Sequence, residues 1–228
     1  ARHQQFAIHD LFTRIARHYD FVNRVISLGQ DRRWRRSALD AVELTADTRI
    51  LDVATGTGDL ALMAKQRVPA AEVVGVDLTL AMLRRAQVKA GHNGIPWVLS
   101  DGLALSFADE SFDVVTSAFM MRNVPDIGHA LQEQVRVLRP GGYLVCLEIT
   151  WPHTFAMNGL FTLYFSGFTP LLGMLMTGDR AAYAYLPRSV KRFLDPEALA
   201  GEMWKAGLHK VSWTSKMMGT VALHTGVK

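Results

Sequence analysis

Three aspartates and a glycine-broken turn carry the chemistry that can be read in this chain. The apolar run Ile50-Leu51-Asp52-Val53 ends in Ala54-Thr55-Gly56-Thr57-Gly58-Asp59, which opens a helix, and Asp77 closes the next apolar run. A strand that breaks at glycines and resumes as a helix offers main-chain amides to a nucleotide-type ligand. A carboxylate about 20 residues further on can accept hydrogen bonds from a ribose diol. Gly56 and Gly58 are expected to let the main chain approach that ligand where a Cβ would collide. Asp52, Thr55, Thr57 and Leu78 flank the turn and the second acid and are assigned to the same ligand. Asp101, in Ser100-Asp101-Gly102, could accept from the exocyclic amine of an adenine, with Gly102 beside it and Ser117 at the end of the following strand. Spacing alone leaves two cofactors open, because Gly56-x-Gly58-x-x-Ala61 also satisfies the dinucleotide fingerprint, and NAD is the rival.

The elements that must position these residues narrow the choice. Helices are expected from Asp59 as N-cap, from Thr79 with Leu80, Leu83 and Ala86 turned inward, and from Asp126 with a stripe of Ile127, Ala130, Leu131, Val135 and Leu138. Strands are expected at 96–99, 112–117 and 143–149, the last after the turn Arg139-Pro140-Gly141-Gly142. Alternating strands and helices argue a parallel sheet covered on both faces, with the cofactor outside the carboxyl ends of the strands, where Asp52, Asp77, Asp101 and Ser117 fall. Closing strands at 210–215 and 218–224 fit a reversed last strand. The fold expected is therefore that of a class I S-adenosylmethionine-dependent methyltransferase, Rossmann-like, with a mostly parallel seven-stranded sheet. A dehydrogenase would normally need a second substrate domain that 228 residues leave no room for.

Composition bounds the rest. With 49% hydrophobic and 20% charged residues the chain is an ordinary globule, and its single cysteine, Cys146 in an apolar strand, excludes a disulfide framework and points to a reducing cytoplasm. No His, Cys or acid spacing suggests a metal. Residues 1–47 read as an N-terminal helical cap, with Leu11, Phe12 and Ile15, then Phe21, Val22, Val25 and Ile26, then Trp34, Ala38 and Leu39 at helical spacing; residues 48–228 form the catalytic domain. The first 36 residues hold eight arginines against Asp10, Asp20 and Asp31. No nucleic-acid motif accompanies them, which leaves a solvated helical face or a face leaning on anionic lipid, where each cation gains about 1 kcal/mol. From Ile149 to Gly178 there is no formally charged residue; Asn158, Pro170, Gly159, Gly167 and Gly173 argue against a span, and an apolar lid over the strand ends, inserted at about 149–195, is expected.

The chain resembles the quinone-biosynthesis C-methyltransferases, which methylate demethylmenaquinol and polyprenyl-benzoquinol precursors. The resemblance runs over Ile15-Ala16-Arg17-His18-Tyr19-Asp20-Phe21-Val22-Asn23, Ser27-Leu28-Gly29, Trp34-Arg35-Arg36, Phe119-Met120-Met121-Arg122-Asn123-Val124, Val137 to Gly142 and Val221 to Gly226. Ala118 stands where relatives often carry a cofactor-contacting serine, Met120 replaces a usual glycine, Leu103 a common acid and Ser106 a common proline. The resemblance implies methyl transfer from S-adenosylmethionine, leaving S-adenosylhomocysteine, to a ring carbon of a hydrophobic prenylated quinol. Arg122 would stabilise the phenolate that activates the ring, Asn123 would orient the same oxygen, and Tyr19 would close over the sulfonium. His18 is a secondary base candidate. Two other functions stay open: methylation of a soluble aromatic natural product, and a non-catalytic S-adenosylmethionine-binding subunit. The partners expected are the quinol, an anionic membrane surface touched peripherally and a second copy of the chain, with no nucleic acid.

Overall fold

The computed structural model describes residues 2–152, 159, 161–169, 174 and 180–228. Three helices come first, α1 (Arg2–Ile15), α2 (Tyr19–Ile26) and α3 (Asp31–Asp40), followed by β1 (Arg49–Val53), α4 (Asp59–Arg67), β2 (Glu72–Asp77), α5 (Leu80–Ala90), β3 (Trp97–Leu99) and β4 (Phe112–Ala118). A 3-10 turn (Met121–Asn123) leads to α6 (Ile127–Val137) and β5 (Leu138–Ile149). Beyond a π-helical stretch (Leu163–Phe168) come α7 (Arg180–Arg192), α8 (Pro196–Lys205), β6 (His209–Lys216) and β7 (Val221–Val227).

The seven strands form one sheet in the order β3-β2-β1-β4-β5-β7-β6. All pairs are parallel except those of β7, which runs antiparallel between β5 and β6 and so closes the sheet with the reversed strand that the sequence led one to expect. Residues facing the two sides build two cores. One gathers Leu51, Val115, Leu131, Leu144 and Leu199 under α6 and α8, the other Ile50, Leu60, Val73, Val145 and Trp34 under α3 and α4. A third cluster, Leu11, Ile15, Val22 and Ile26, holds the N-terminal helices together.

Local details depart from expectation. The N-cap of α4 is Gly58, in the left-handed conformation at φ +82°, because the Asp59 carboxylate turns to Lys89 at 2.8 Å instead of capping the helix. Leu80 lies on the outer face of α5, and Met82, Leu83 and Ala86 fill the inner one. Phe21 is exposed, and only Val22 and Ile26 of α2 are fully inside. The Arg139–Gly142 turn is not a separate loop but an irregular start to β5, whose register shifts between Phe112 and Val114. Phe155, Asn158, Leu160, Pro170, Leu171, Leu172, Gly173, Leu175, Met176 and Gly178 of the uncharged segment lie outside the described residues. Among the described residues no helix is long and apolar enough to cross a membrane.

Candidate active site

Two cavities meet at the carboxyl ends of the strands. The first is lined by Gly56, Asp77, Leu78, Asp101, Gly102 and Asn123, with α1 closing one side through Ile8, His9 and Phe12. β1 and β2 end side by side, so the turn after one reaches the acid ending the other: the Gly56 N–H donates to Asp77 Oδ2 at 2.9 Å and the Thr79 N–H to Oδ1 at 2.8 Å. Burial pushes the Asp77 carboxyl above the usual carboxylate range, and these two amides oppose that shift. Asp101 Oδ1 accepts from the Leu103 N–H at 2.9 Å, which fixes its carboxylate at the rim.

A narrow extension of this cavity runs beneath the turn, between Asp52, Thr55, Thr57, Ala118 and Arg35. Asp52 accepts from the hydroxyls of Thr55 at 2.6 Å and Thr116 at 2.7 Å. Burial raises its carboxyl to about 6, against the pull of those hydroxyls and of the Arg35 charge. The Thr57 hydroxyl donates to Asp20 of α2 and accepts from Lys89, so it ties the cap to the turn.

The second cavity, of about 290 Å³, is almost wholly apolar, with Trp34, Ile149, Phe161, Tyr164, Phe165 and Leu186 in its walls. Phe161 and Phe165 are buried and stacked at 4.2 Å, and the Tyr164 hydroxyl donates to the Ile26 carbonyl, which locks the π-helical stretch onto α2. Tyr19 and Phe119 line both cavities and separate them. Phe119 holds φ at +62°, a conformation that costs a bulky residue on the order of 1–2 kcal/mol, while its N–H donates to the Leu147 carbonyl at 2.7 Å. Two guanidiniums lie near its ring, Arg35 at 5.4 Å and Arg122 at 5.6 Å from the centroid.

Each of these guanidiniums is held by a buried acid. Arg35 donates to Asp31 at 3.0 Å, and Arg122 donates to Glu148 at 2.7 Å, with the carboxylate fully buried. Burial pushes the Glu148 carboxyl up and the Arg122 charge pulls it down, with burial the larger effect. Arg122 lines the apolar cavity, and Nε of Arg122 and Oε1 of Glu148 remain without hydrogen-bond partners. Burial likewise raises the Tyr19 hydroxyl, against a bond with Asn23 and the charges of Arg122 and Arg35.

The model of the ubiE/COQ5 methyltransferase family matches residues 1–228. The chain belongs to that family. Its relatives include the demethylmenaquinone methyltransferase of Thermus thermophilus, 47% identical with 95% of this chain and 99% of that one covered. The ubiquinone/menaquinone biosynthesis C-methyltransferase of Desulfotalea psychrophila is 39% identical over 97% of this chain and 90% of its own. Among solved structures, a possible histamine N-methyltransferase of Thermotoga maritima has a TM-score of 0.67 at 19% identity, covering 96% and 99% of the two chains. A phosphoethanolamine N-methyltransferase of Haemonchus contortus in complex with S-adenosyl-L-methionine has a TM-score of 0.64 at 15% identity, covering 85% and 52%. The fold of this ubiE/COQ5 member is that of the class I methyltransferases.

Several site assignments move. Gly58 lines none of these cavities: a Cβ there would stand 2.6 Å from Trp97 Cη2 and 3.1 Å from the Ala86 Cβ, so its glycine serves the packing of β3 and α5. Gly58→Ala should therefore lower stability by about 2–4 kcal/mol, from a left-handed alanine plus overpacking, while leaving cofactor affinity of the folded protein nearly unchanged. Thermal melting beside calorimetry tests this; lost affinity at an unchanged melting temperature would return Gly58 to the ligand. Ser117 is fully buried with its side chain away from both cavities, and its neighbour Ala118 lines the cofactor side. Asn123 faces the first cavity rather than the second. Its amide donates to the Phe119 carbonyl at 2.9 Å and accepts from the Tyr185 hydroxyl at 3.1 Å, which braces the 3-10 turn. Met121 is core and Met120 borders the cofactor side, so neither fills the apolar cavity. His18 lines neither cavity, and His224 is buried with Nε2 against the Pro196 carbonyl at 2.9 Å. Arg35, Glu148 and Phe119 were not assigned roles from sequence.

Proposed function

We propose that the chain transfers a methyl group from S-adenosylmethionine to a ring carbon of a prenylated quinol in menaquinone or ubiquinone biosynthesis. The observation that carries this reading is the pair of cavities divided by Tyr19 and Phe119, one rimmed by Asp77 and Asp101, the other apolar with a single acid-held guanidinium pair beside the dividing wall. The first cavity's donor set fits the cofactor: a carboxylate for the ribose diol at Asp77, one for the adenine amine at Asp101, and Leu78, Met82 and Leu103 for a flat ring. The apolar second cavity disfavours a soluble polar acceptor.

When bound, S-adenosylmethionine supplies an electrophilic methyl on sulfur. The chain's own residues do the rest. Tyr19 and Phe119 fix where acceptor carbon and methyl can meet, and such alignment contributes several kcal/mol. A ring carbon becomes nucleophilic when the neighbouring hydroxyl loses its proton. Arg122 is too basic to take that proton, so its charge stabilises the phenolate left when the proton passes to water, and a second proton leaves the ring carbon after the methyl has added. Glu148 holds the guanidinium in place for this purpose. Aromatic walls around the second cavity exclude water and receive the first part of the prenyl tail.

The experiment is methylation of reduced benzoquinols and naphthoquinols, each with and without a tail, by wild type and Phe165→Ser. Wild type should methylate a tailed quinol, and the variant should raise KM about tenfold for the tailed acceptor and far less for the tail-free one, from the lost burial of one aromatic ring. Equal losses on both would make Phe165 core rather than tail site. No methylation of any quinol would overturn the acceptor assignment.

A further inference from the structure

The mouth of the apolar cavity is built from residues that the fold by itself disfavours. Leu28, which lines the cavity, is 69% exposed and stands at φ +52° in the turn between α2 and α3. In the same lining, Met217 and Met218, in the turn between β6 and β7, hold φ at +44° and +55°, and Met218 is 70% exposed. A left-handed backbone is strained for such side chains, and the turn gains nothing from pointing a leucine and a methionine into water. Glycine, which sits next to each tip as Gly29 and Gly219, would adopt these angles at no steric cost.

The charges around these tips show the same conflict. Arg32 and Arg33 occupy the first turn of α3, directly after the Leu28 turn, where the helix dipole favours acids and disfavours cations. Both are exposed, neither pairs with a carboxylate among the described residues, and exposed Arg24 lies on the last turn of α2 beside them. Leu163 and Phe168 add exposed apolar side chains on the π-helical stretch whose other face, through Tyr164 and Phe165, forms the cavity wall. Apolar tips at the opening of an apolar cavity, with exposed arginines beside the Leu28 turn, match an interface of anionic headgroups above acyl chains.

From this we infer that the Leu28 and Met217–Met218 turns are a two-pronged anchor that seats the cavity mouth in an anionic lipid surface, so that an apolar acceptor passes from bilayer to cavity without crossing water. The inference rests on the acceptor reading above, but its test does not. Vesicles of phosphatidylcholine, with or without about a third phosphatidylglycerol, would be co-sedimented with wild type, with Leu28→Ser/Met218→Ser and with Arg32→Gln/Arg33→Gln.

Wild type should bind the anionic vesicles, weakly or not at all the neutral ones, and release as salt rises, since headgroup attraction is screened. The apolar double variant should bind at least about tenfold less, having lost two inserted side chains. The arginine variant should lose the salt-dependent part of binding. S-adenosylhomocysteine affinity and melting temperature, read alongside, should hold in both variants, which shows that the folded cofactor side is intact. Vesicle binding unchanged in the apolar variant would overturn the inference. So would sedimentation showing that these side chains instead join two copies of the chain. Vesicle binding as expected, with no methylation of quinols, would leave the anchor standing and remove only the acceptor assignment.

Discussion

Arg122→Ala should lower kcat by about a hundredfold or more on a quinol acceptor, the scale on which an oxyanion donor contributes, while cofactor affinity stays nearly intact. The variant should also unfold more easily, because Glu148 would be left buried and charged without its partner, a loss of about 3–5 kcal/mol. The two effects can be separated. Arg122→Met combined with Glu148→Gln removes both charges and should recover most of the stability, yet its turnover should remain as low as that of Arg122→Ala. Restored turnover in the double variant would show that Arg122 acts only by neutralising Glu148. Near-normal kcat in Arg122→Ala itself would falsify the catalytic assignment.

Asp77→Ala should weaken S-adenosylmethionine by about 2–3 kcal/mol, or roughly 30- to 150-fold in Kd, the loss expected for hydrogen bonds from a diol to an ionised group. The loss should be equal for S-adenosylhomocysteine, since the ribose is common to both and the sulfonium is not. Part of it would come from the turn itself: without the carboxylate the amides of Gly56 and Thr79 lose their acceptor. Calorimetry with both ligands and with NAD decides the matter. A loss confined to S-adenosylmethionine would place Asp77 near the sulfur, and tight binding of NAD would overturn the cofactor reading altogether.

The strand, turn and helix order was legible because each signal is local: an apolar run, two glycines, an N-cap, a period of 3.6. The place of Asp77 and Asp101 at one edge of the sheet was legible for the same reason, since strand ends in such a sheet converge there. What escaped was set by partners distant in sequence. Gly58 looks like a ligand glycine until Trp97, 39 positions away, is seen to occupy the space of its Cβ. Ser117 drew attention as a hydroxyl, but the alternation of β4 puts Thr116 with Asp52 on one face and Ser117 on the other, a signal that was available and outweighed by residue type. Glu148 could also have been suspected. A lone acid ending the apolar run Leu144-Val145-Cys146-Leu147 almost requires a buried cation, and Arg122 ends the neighbouring parallel strand's turn. The positive φ of Leu28, Phe119 and Met218 left no trace in a sequence where glycine would be the expected residue.

The dividing wall of Tyr19 and Phe119 also shapes the order of exchange. In the proposed reaction cofactor would lie on the α1 side of that wall and acceptor on the side of the Leu28 and Met218 turns, so neither ligand would have to leave for the other to pass. On that reading spent cofactor would be replaced from the α1 side while the acceptor side stays engaged. Turnover would then depend on two independent dissociation rates rather than on a shared exit, and, if the proposed anchor holds the chain on lipid, successive acceptors would be methylated during a single residence there.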